Sequence, residues 1–312
     1  MSRINKNASA KFKLDLIQVK DLVSPKQVAQ AIGVSESSLK RWCDQGLIPT
    51  IKTAGGHRRL PVNGVLAYLR TSGHILVAPE ILGLPPATTG GADRKLSTGR
   101  DRLLQALVDG DEALCVQIVL NLYLARYSMS QICDQVLTSA FVEIGERWGC
   151  GTVAVYQERR SCELCHRVMH EVRRALPELP ANAPMAVGGT LDGDPYTLAS
   201  GMVELVLRDQ GWRACSLGNM LPFATLRAAL CDTQPRLFWL SIASIQDEAT
   251  FYDEFERLSQ LASERRAALV VGGKALTEDV RKRMHYSAYC DTFEHLADFA
   301  RTVRPRGETS HE

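Results

Sequence analysis

The tightest constraint on this chain lies in residues 24–69, where capping, turn and charged residues follow one another in an order that few folds accept. Ser24-Pro25 is a helix start: a capping hydroxyl, then the residue whose missing N–H costs nothing at the first helical position. Val28, Ala29 and Ile32 recur at helical spacing, and Gly33 supplies a tight turn. Ser35 can cap a second helix that sends Leu39 and Trp42 inward and Ser37, Ser38, Lys40 and Arg41 outward. Gly46-Leu47-Ile48-Pro49 stops that helix. Ala54-Gly55-Gly56-His57-Arg58-Arg59-Leu60 then forms the tip and return of a two-stranded wing that carries Lys52, His57, Arg58 and Arg59. Helix, turn, helix and wing make a winged helix-turn-helix. The second helix suits a major groove and the cationic tip suits phosphates, so these eight polar residues are the expected contacts to a double-stranded DNA operator. The plainer alternative is a charged hairpin on a small helical domain.

Charge is distributed to match. Residues 1–75 hold 12 Lys/Arg against 4 Asp/Glu, a net of +8 within a chain whose total is only +2. A basic head on a mildly acidic body localises phosphate binding to the head. Operators pair half-sites, and one small head buries little surface, so a homo-oligomer is expected. No run of 18 apolar residues exists and the first residues lack a signal-like apolar segment, which points to a cytoplasmic protein with no membrane partner. The 9 cysteines are scattered, as reduced and mostly buried thiols would be. Cys162-Glu163-Leu164-Cys165-His166 has the spacing of covalent haem attachment, but it sits in the middle of an amphipathic helical pattern and without export signals.

The rest divides by period. Residues 1–20 are expected to be a flexible arm, 21–75 the DNA-binding head, and 76–97 a linker rich in Pro, Gly, Thr and Ala. Residues 98–178 carry four apolar stripes at helical spacing, a four-helix cap. From 183 to 303 short apolar runs alternate with amphipathic helices, as in a flavodoxin-like, doubly wound parallel sheet. Residues 304–312 form a polar tail. The fold class is therefore multidomain: winged helix-turn-helix, four-helix bundle and α/β.

Ligands of such sheets bind beyond the carboxyl ends of the strands, where strand order reverses. Asp192-Gly193-Asp194-Pro195-Tyr196, Ser241-Ile242-Ala243 and Gly272-Gly273 are placed there. With a helical roof they outline a pocket between cap and sheet.

The order of head, cap and sheet resembles the cobalamin-dependent photoreceptor repressors of the MerR family over roughly residues 22–303. The cap segment Phe141-Val142-Glu143-Ile144-Gly145-Glu146-Arg147-Trp148 is similar to the family helix that ends in a Trp over the upper corrin face. That family places Glu-His nine residues after this Trp; here the pair is Glu158-Arg159. The family's Asp-x-His-x-x-Gly supplies the lower cobalt ligand; here the run is Asp194-Pro195-Tyr196-Thr197-Leu198-Ala199, so Tyr replaces His and Ala replaces the Gly that gives the nucleotide tail room. Ser241 matches the family's Ser-x-Leu although Ala243 replaces its Leu, and Gly272-Gly273 match its paired glycines.

The resemblance implies a transcription regulator, a repressor, that senses cobalamin or another tetrapyrrole. Trp148, Glu158, Arg159, Asp194, Tyr196, Ser241, Gly272 and Gly273 would be the cofactor-binding residues. Tyr196 stands where the axial His would be and leaves the metal ligand unknown. A phenol is a poor cobalt ligand beside imidazole, though a phenolate can hold ferric haem. Haem, another small ligand or no ligand remain alternatives to cobalamin. The chain is expected not to be an enzyme. The rivals to ligand sensing are a regulator or adaptor with a vestigial pocket and a corrinoid-dependent methyltransferase module. The named residues also have structural alternatives: Trp148 as packing, Glu158 and Arg159 as a solvated pair, Tyr196 packed on the cap and Ser241 as a turn cap.

Overall fold

The computed structural model describes residues 22–84 and 95–304. The expected arm, the middle of the expected linker and all but the first residue of the tail lie outside the described residues. The head begins with β1 (Leu22–Val23), α1 (Pro25–Ile32) and α2 (Glu36–Asp44), followed by β2 (Ile51–Lys52), β3 (Arg58–Pro61) and α3 (Val62–Ser72). Ser24 and Gln27 cap α1 reciprocally: the Ser24 hydroxyl accepts the Gln27 N–H at 3.3 Å and the Gln27 carboxamide oxygen accepts the Ser24 N–H at 2.9 Å. Gly33, at φ +74°, makes the left-handed turn into α2, where the Ser35 hydroxyl accepts the Ser38 N–H at 3.1 Å. Leu39 and Ile48 are fully buried under this turn.

Two expectations are corrected here. The two-stranded ribbon is a three-stranded sheet, with β3 between β1 and β2. A pair of such short strands is marginal alone, and Leu22–Val23 occupies the other edge of β3. The stretch 76–97 is also not linker throughout. Val77 and Ala78 donate N–H groups to the Ala31 carbonyl at 2.8 and 3.1 Å, and Pro79–Leu82 form a 3-10 turn that buries Leu82. Its Pro and Gly content reads as linker, but the apolar Ile81 and Leu82 anchor it to the head.

The cap consists of α4 (Leu96–Asp109), α5 (Glu112–Leu124), a third helix running through α6 (Met129–Ile132), a π-helical segment (Cys133–Thr138) and α7 (Ser139–Gly149), and then α8 (Val155–Ala175). The sheet domain follows as β4 (Met185–Thr190), α9 (Leu198–Asp209), β5 (Arg213–Ser216), α10 (Phe223–Thr233), β6 (Leu237–Ser241), α11 (Glu248–Glu264), β7 (Ala268–Gly272), α12 (Glu278–Arg281), β8 (Ala288–Tyr289) and α13 (Phe293–Val303). The five strands are parallel in the order β5-β4-β6-β7-β8. β6 is buried along its whole length, as a strand covered on both faces must be. Ala186, Leu237, Trp239 and Val270 pack on one side of the sheet, in one core with α9, α13 and the cap. Val187, Phe238, Leu240 and Val271 pack with α11 on the other.

The three parts are joined at helix ends. Arg70 on α3 donates from Nη1 to the carbonyls of Tyr123 and Tyr127, the latter at 2.8 Å, and its guanidinium lies 4.1 Å from the Tyr123 ring centre. Arg126 reciprocates, donating to the carbonyls of Arg70 at 2.9 Å and Thr71 at 2.8 Å. The Asp209 carboxylate accepts the Met129 N–H at the start of α6 at 3.0 Å. The Asp134 carboxylate accepts the first two N–H groups of α13, from Phe293 and Glu294, both at 2.9 Å.

Arg70→Ala should lower stability by about 2 kcal/mol, since it removes charge-assisted bonds and a ring contact from a half-buried position. Arg126→Ala should cost about 1 kcal/mol or less because its side chain is exposed. Hydrogen exchange should accelerate at the carboxyl ends of α3 and α5 in both variants. Unchanged exchange there would show that the bonds do not hold the head.

Candidate functional site

The candidate DNA contacts lie on α2 and on the hairpin that follows it. Ser37, Lys40 and Arg41 are exposed on α2 and Ser38 is half-buried. The Ser37 and Ser38 hydroxyls each lie 2.9 Å from the Ser35 hydroxyl, a small cluster at the start of the helix. Lys52 and His57 are exposed on the hairpin. Arg58 and Arg59 are half-buried. Arg58 reaches back to Asp44 at the end of α2, 2.7 Å away, and so braces the hairpin against the helix. Arg59 donates to the Arg58 carbonyl at 3.2 Å.

At the sheet, strand order reverses between β4 and β6, so their carboxyl ends flank a crevice. Asp194 is fully buried there and its carboxylate is consumed by the backbone: Oδ1 accepts the Tyr196 N–H at 3.1 Å and Oδ2 accepts the Ala243 N–H at 2.6 Å. Thr190 donates its hydroxyl to the Asp194 carbonyl at 2.8 Å. Asp194 thus ties the loop after β4 to the loop after β6. Ser241 ends β6 in register with Thr190 and Gly272. Gly273, at φ +118°, passes so close to β6 that a Cβ would lie 2.2 Å from the Ile242 carbonyl oxygen, so only glycine fits. The next residue, Lys274, holds its ammonium 4.9 Å from the Tyr196 ring centre. Tyr196 itself is 54% exposed, and Met220, on the loop after β5, is 51% exposed. Asn219 joins these two loops by donating to the Pro195 carbonyl at 3.2 Å.

The structure therefore brings Asp194, Tyr196, Ser241, Gly272 and Gly273 to one edge. Trp148, Glu158 and Arg159 stay on the cap. Trp148 ends α7 with 52% exposure, and Val155 and Tyr156 at the start of α8 are also exposed. Glu158 and Arg159 are paired with each other at 3.3 Å, and Glu158 also accepts from the Cys162 thiol at 3.5 Å. Burial and the Glu158 carboxylate push that thiol up to about 11.

Cap and sheet edge meet through residues that the sequence reading did not assign to the site. His166 on α8 and Thr197, which precedes α9, are joined by a 2.8 Å bond between Nε2 and Oγ1. Met169, one turn on, lies against Gly201, where a Cβ would come within 2.9 Å of its methyl. Arg173 reaches Glu204 on α9 at 3.0 Å. The signal available in sequence was the α8 face His166, Met169 and Arg173, but nothing in the sequence identified α9 as its partner.

Once this geometry is known, comparison with known proteins adds two domain matches. The model of a helix-turn-helix domain matches residues 22–73, and that of a B12 binding domain matches residues 100–173, the helices of the cap. The two together fit a ligand-sensing, DNA-binding regulator. The HTH-type transcriptional repressor CarH of Myxococcus xanthus is 30% identical over 183 residues, which are 57% of this chain and 58% of that protein. The chain thus spans little more than half the length of that relative. The trimethylamine corrinoid protein 1 of Methanosarcina acetivorans is 18% identical over 201 residues, 64% of this chain and 93% of that protein. In fold, the monomethylamine corrinoid protein of Methanosarcina barkeri covers 67% of this chain and all of its own at a TM-score of 0.56 and 16% identity. Among the described residues no helix is long and apolar enough to cross a membrane.

Burial holds the His166 imidazole below its ordinary range, with Glu163 opposing more weakly. A histidine depressed on folding stabilises fully above its unfolded pKa of about 6.5 and loses that contribution as pH falls through that value toward the folded one. Melting temperature should therefore fall from pH 7.5 to pH 5.5 by more in the wild type than in His166→Gln. Equal falls would show that the cap–sheet contact is indifferent to this proton.

Proposed function

We propose that the protein is a transcriptional repressor whose winged helix-turn-helix head, of the MerR type, is controlled by a tetrapyrrole, cobalamin first, held between the cap and the carboxyl edge of the sheet. The observation that carries this reading is the direct bonding of the DNA-binding head, through Arg70 and Arg126, to the cap helices that match a B12 binding domain. A methyltransferase module of the corrinoid type has no use for such a head. The repressor sign comes from the likeness to CarH.

On this reading Lys40 and Arg41 read base edges, with Ser37 and Ser38 at the helix start. Lys52, His57 and Arg59 meet phosphates, and Arg58 sets the hairpin angle through Asp44. A two-fold pair of heads meets a two-fold operator. The ring would lie between the exposed Trp148 of the cap and the exposed Tyr196 and Met220 of the sheet edge, with Arg159 and Lys274 at its rim. The residues present fit a flat, largely apolar macrocycle. They do not fit an imidazole ligand from the loop after β4, because Tyr196 offers no nitrogen and Asp194 is spent on the backbone. Cobalt bound here would therefore take its lower ligand from elsewhere, from solvent or the cofactor itself.

Two measurements test the two halves. Arg59→Ala and Lys52→Ala in the full chain should weaken binding to every duplex and reduce the slope of log affinity against log salt by about 1 each. Lys40→Ala should instead lower affinity for the cognate site by about 1–3 kcal/mol and relax sequence preference. A uniform loss in all three would remove α2 from the base-reading role. For the ligand, hydroxocobalamin or hemin at a hundred times its dissociation constant should stabilise the protein by about 2.7 kcal/mol. That gain should shrink in Trp148→Ala. No shift with either compound would leave the pocket without a tetrapyrrole.

A further inference from the structure

Behind the sheet edge, on the side facing α9, the structure holds a filled compartment. Its floor is Gly188 in β4, one wall is the end of β5, and its lid is the first turn of α9. Trp239, from the middle of β6, occupies it. The indole is 1% exposed and lies across Gly188, where a Cβ would come within 2.4 Å of the ring. Its Nε1 donates to the Ser200 hydroxyl of α9 at 3.0 Å, a buried bond. Ser200 in turn lies 3.2 Å from the Ser216 hydroxyl at the end of β5, and that hydroxyl accepts the Gly218 N–H at 3.3 Å. The lid cannot lift freely either. Thr197 is bonded to His166 and Gly201 is pressed by Met169, so α8 pins this turn from above.

Any ligand lying on the sheet edge meets this arrangement on its lower side. A planar ring can rest over Tyr196 and the loops without entering it. A bulky group projecting down from the ring, between α9 and the sheet, would have to displace Trp239, break its bond to Ser200 and part α9 from α8. A nucleotide is such a group.

We infer that Trp239 makes this site select against an inserted nucleotide tail. The preferred ligand class is a tetrapyrrole with no bulky group on its lower face, and an intact cobalamin is held with its tail outside the protein. This rests on the tetrapyrrole reading above and narrows it. The selection is steric and polar together: the indole fills the volume, and removing it takes from the buried Ser200 hydroxyl its indole donor.

The test is a pair of titrations on the full-length wild-type protein, followed by visible spectra: hydroxocobalamin, and diaquacobinamide, the same corrin without the nucleotide. The expected result is that cobinamide binds at least as tightly as cobalamin, and that bound cobalamin keeps the spectrum of benzimidazole on cobalt. In Trp239→Gly the preference should move at least tenfold toward cobalamin, and bound cobalamin should lose the benzimidazole–cobalt spectrum. Trp239→Phe, which fills most of the volume, should retain the wild-type order. The wild-type comparison stands alone if the glycine variant does not fold. Cobalamin binding tenfold tighter than cobinamide, or a benzimidazole-off spectrum in the wild type, would overturn the inference while leaving the tetrapyrrole reading intact. Binding of neither corrinoid, with hemin still bound, supports exclusion of the tail-bearing ring only if Trp239→Gly then takes cobalamin, and overturns it otherwise. Binding of none of the three overturns the reading and the inference together.

Discussion

The molecule is assembled by satisfying helix ends across domain boundaries. An α-helix leaves N–H groups unpaired at its start and carbonyls unpaired at its finish, and the macrodipole makes the first attract anions and the second cations. Four side chains at the junctions follow that rule. Asp209, at the end of α9 in the sheet domain, caps the start of α6 in the cap. Asp134, in the cap, caps the start of α13 in the sheet domain. Arg126 of the cap finishes α3 of the head, and Arg70 of the head finishes α5 of the cap. Breaking any one leaves backbone groups without their partners, so these bonds give direction to the one apolar core that head, cap and sheet domain share. Burial holds the Asp209 carboxyl above its ordinary range, with the Met129 N–H opposing. This acid therefore costs the fold something at neutral pH, and its bond to α6 offsets that cost.

The same economy shapes the sheet edge. A buried carboxylate in a crevice is the usual mark of chemistry. Asp194 instead spends both oxygens on the backbone of two loops, which fixes the distance between the ends of β4 and β6. The glycines act likewise. Gly273 lets β7's exit pass beneath the Ile242 carbonyl, and Gly188 lets the Trp239 indole lie flat on the sheet. What is left unsatisfied at this edge is apolar and exposed: Tyr196 and Met220 on the sheet loops. On the proposed reading a surface of that kind would bind by covering flat area, with its shape deciding which rings fit.

How much of this was legible in the chain depends on whether the cause was local. Ser24, Pro25, Gly33 and Ser35 act within a few residues of themselves, and the head's helices follow from them directly. The alternation of buried strands and amphipathic helices after residue 183 is also a local signal, and it fixes a parallel sheet because parallel strands need crossover helices. The residues that join the parts carried no such mark. Asp134 and Asp209 look like ordinary helix-surface acids, and Arg70 and Arg126 like ordinary surface cations, until helix ends are brought to them from 53 to 160 positions away. Pro79–Leu82 misled through composition: Pro and Gly signal a loop, but two apolar side chains decide where it lies. The partner of Arg58 was equally unmarked, since Asp44 sits on the preceding helix, out of reach of any local pattern.

The helix α9 connects these two themes. Its first turn is held by Thr197 to His166, by Ser200 to Trp239 and by Gly201 to Met169, all beside the sheet edge. Its last residue is Asp209, at the junction with α6 and close to the head's Arg70. Twelve residues separate the two ends, about 18 Å of rigid rod. Packed helices move as units because their interiors resist compression. On the proposed reading, a ring held at the sheet edge would act on the near end of the same rod whose far end caps the cap's third helix. From there the chain of bonds runs through Tyr127 and Tyr123 to Arg70, and so to the helix that follows the hairpin. On that same reading a signal at the sheet edge would not need to deform the head itself: a change in the angle at which the head is presented would suffice for the proposed pair of heads on a two-fold operator.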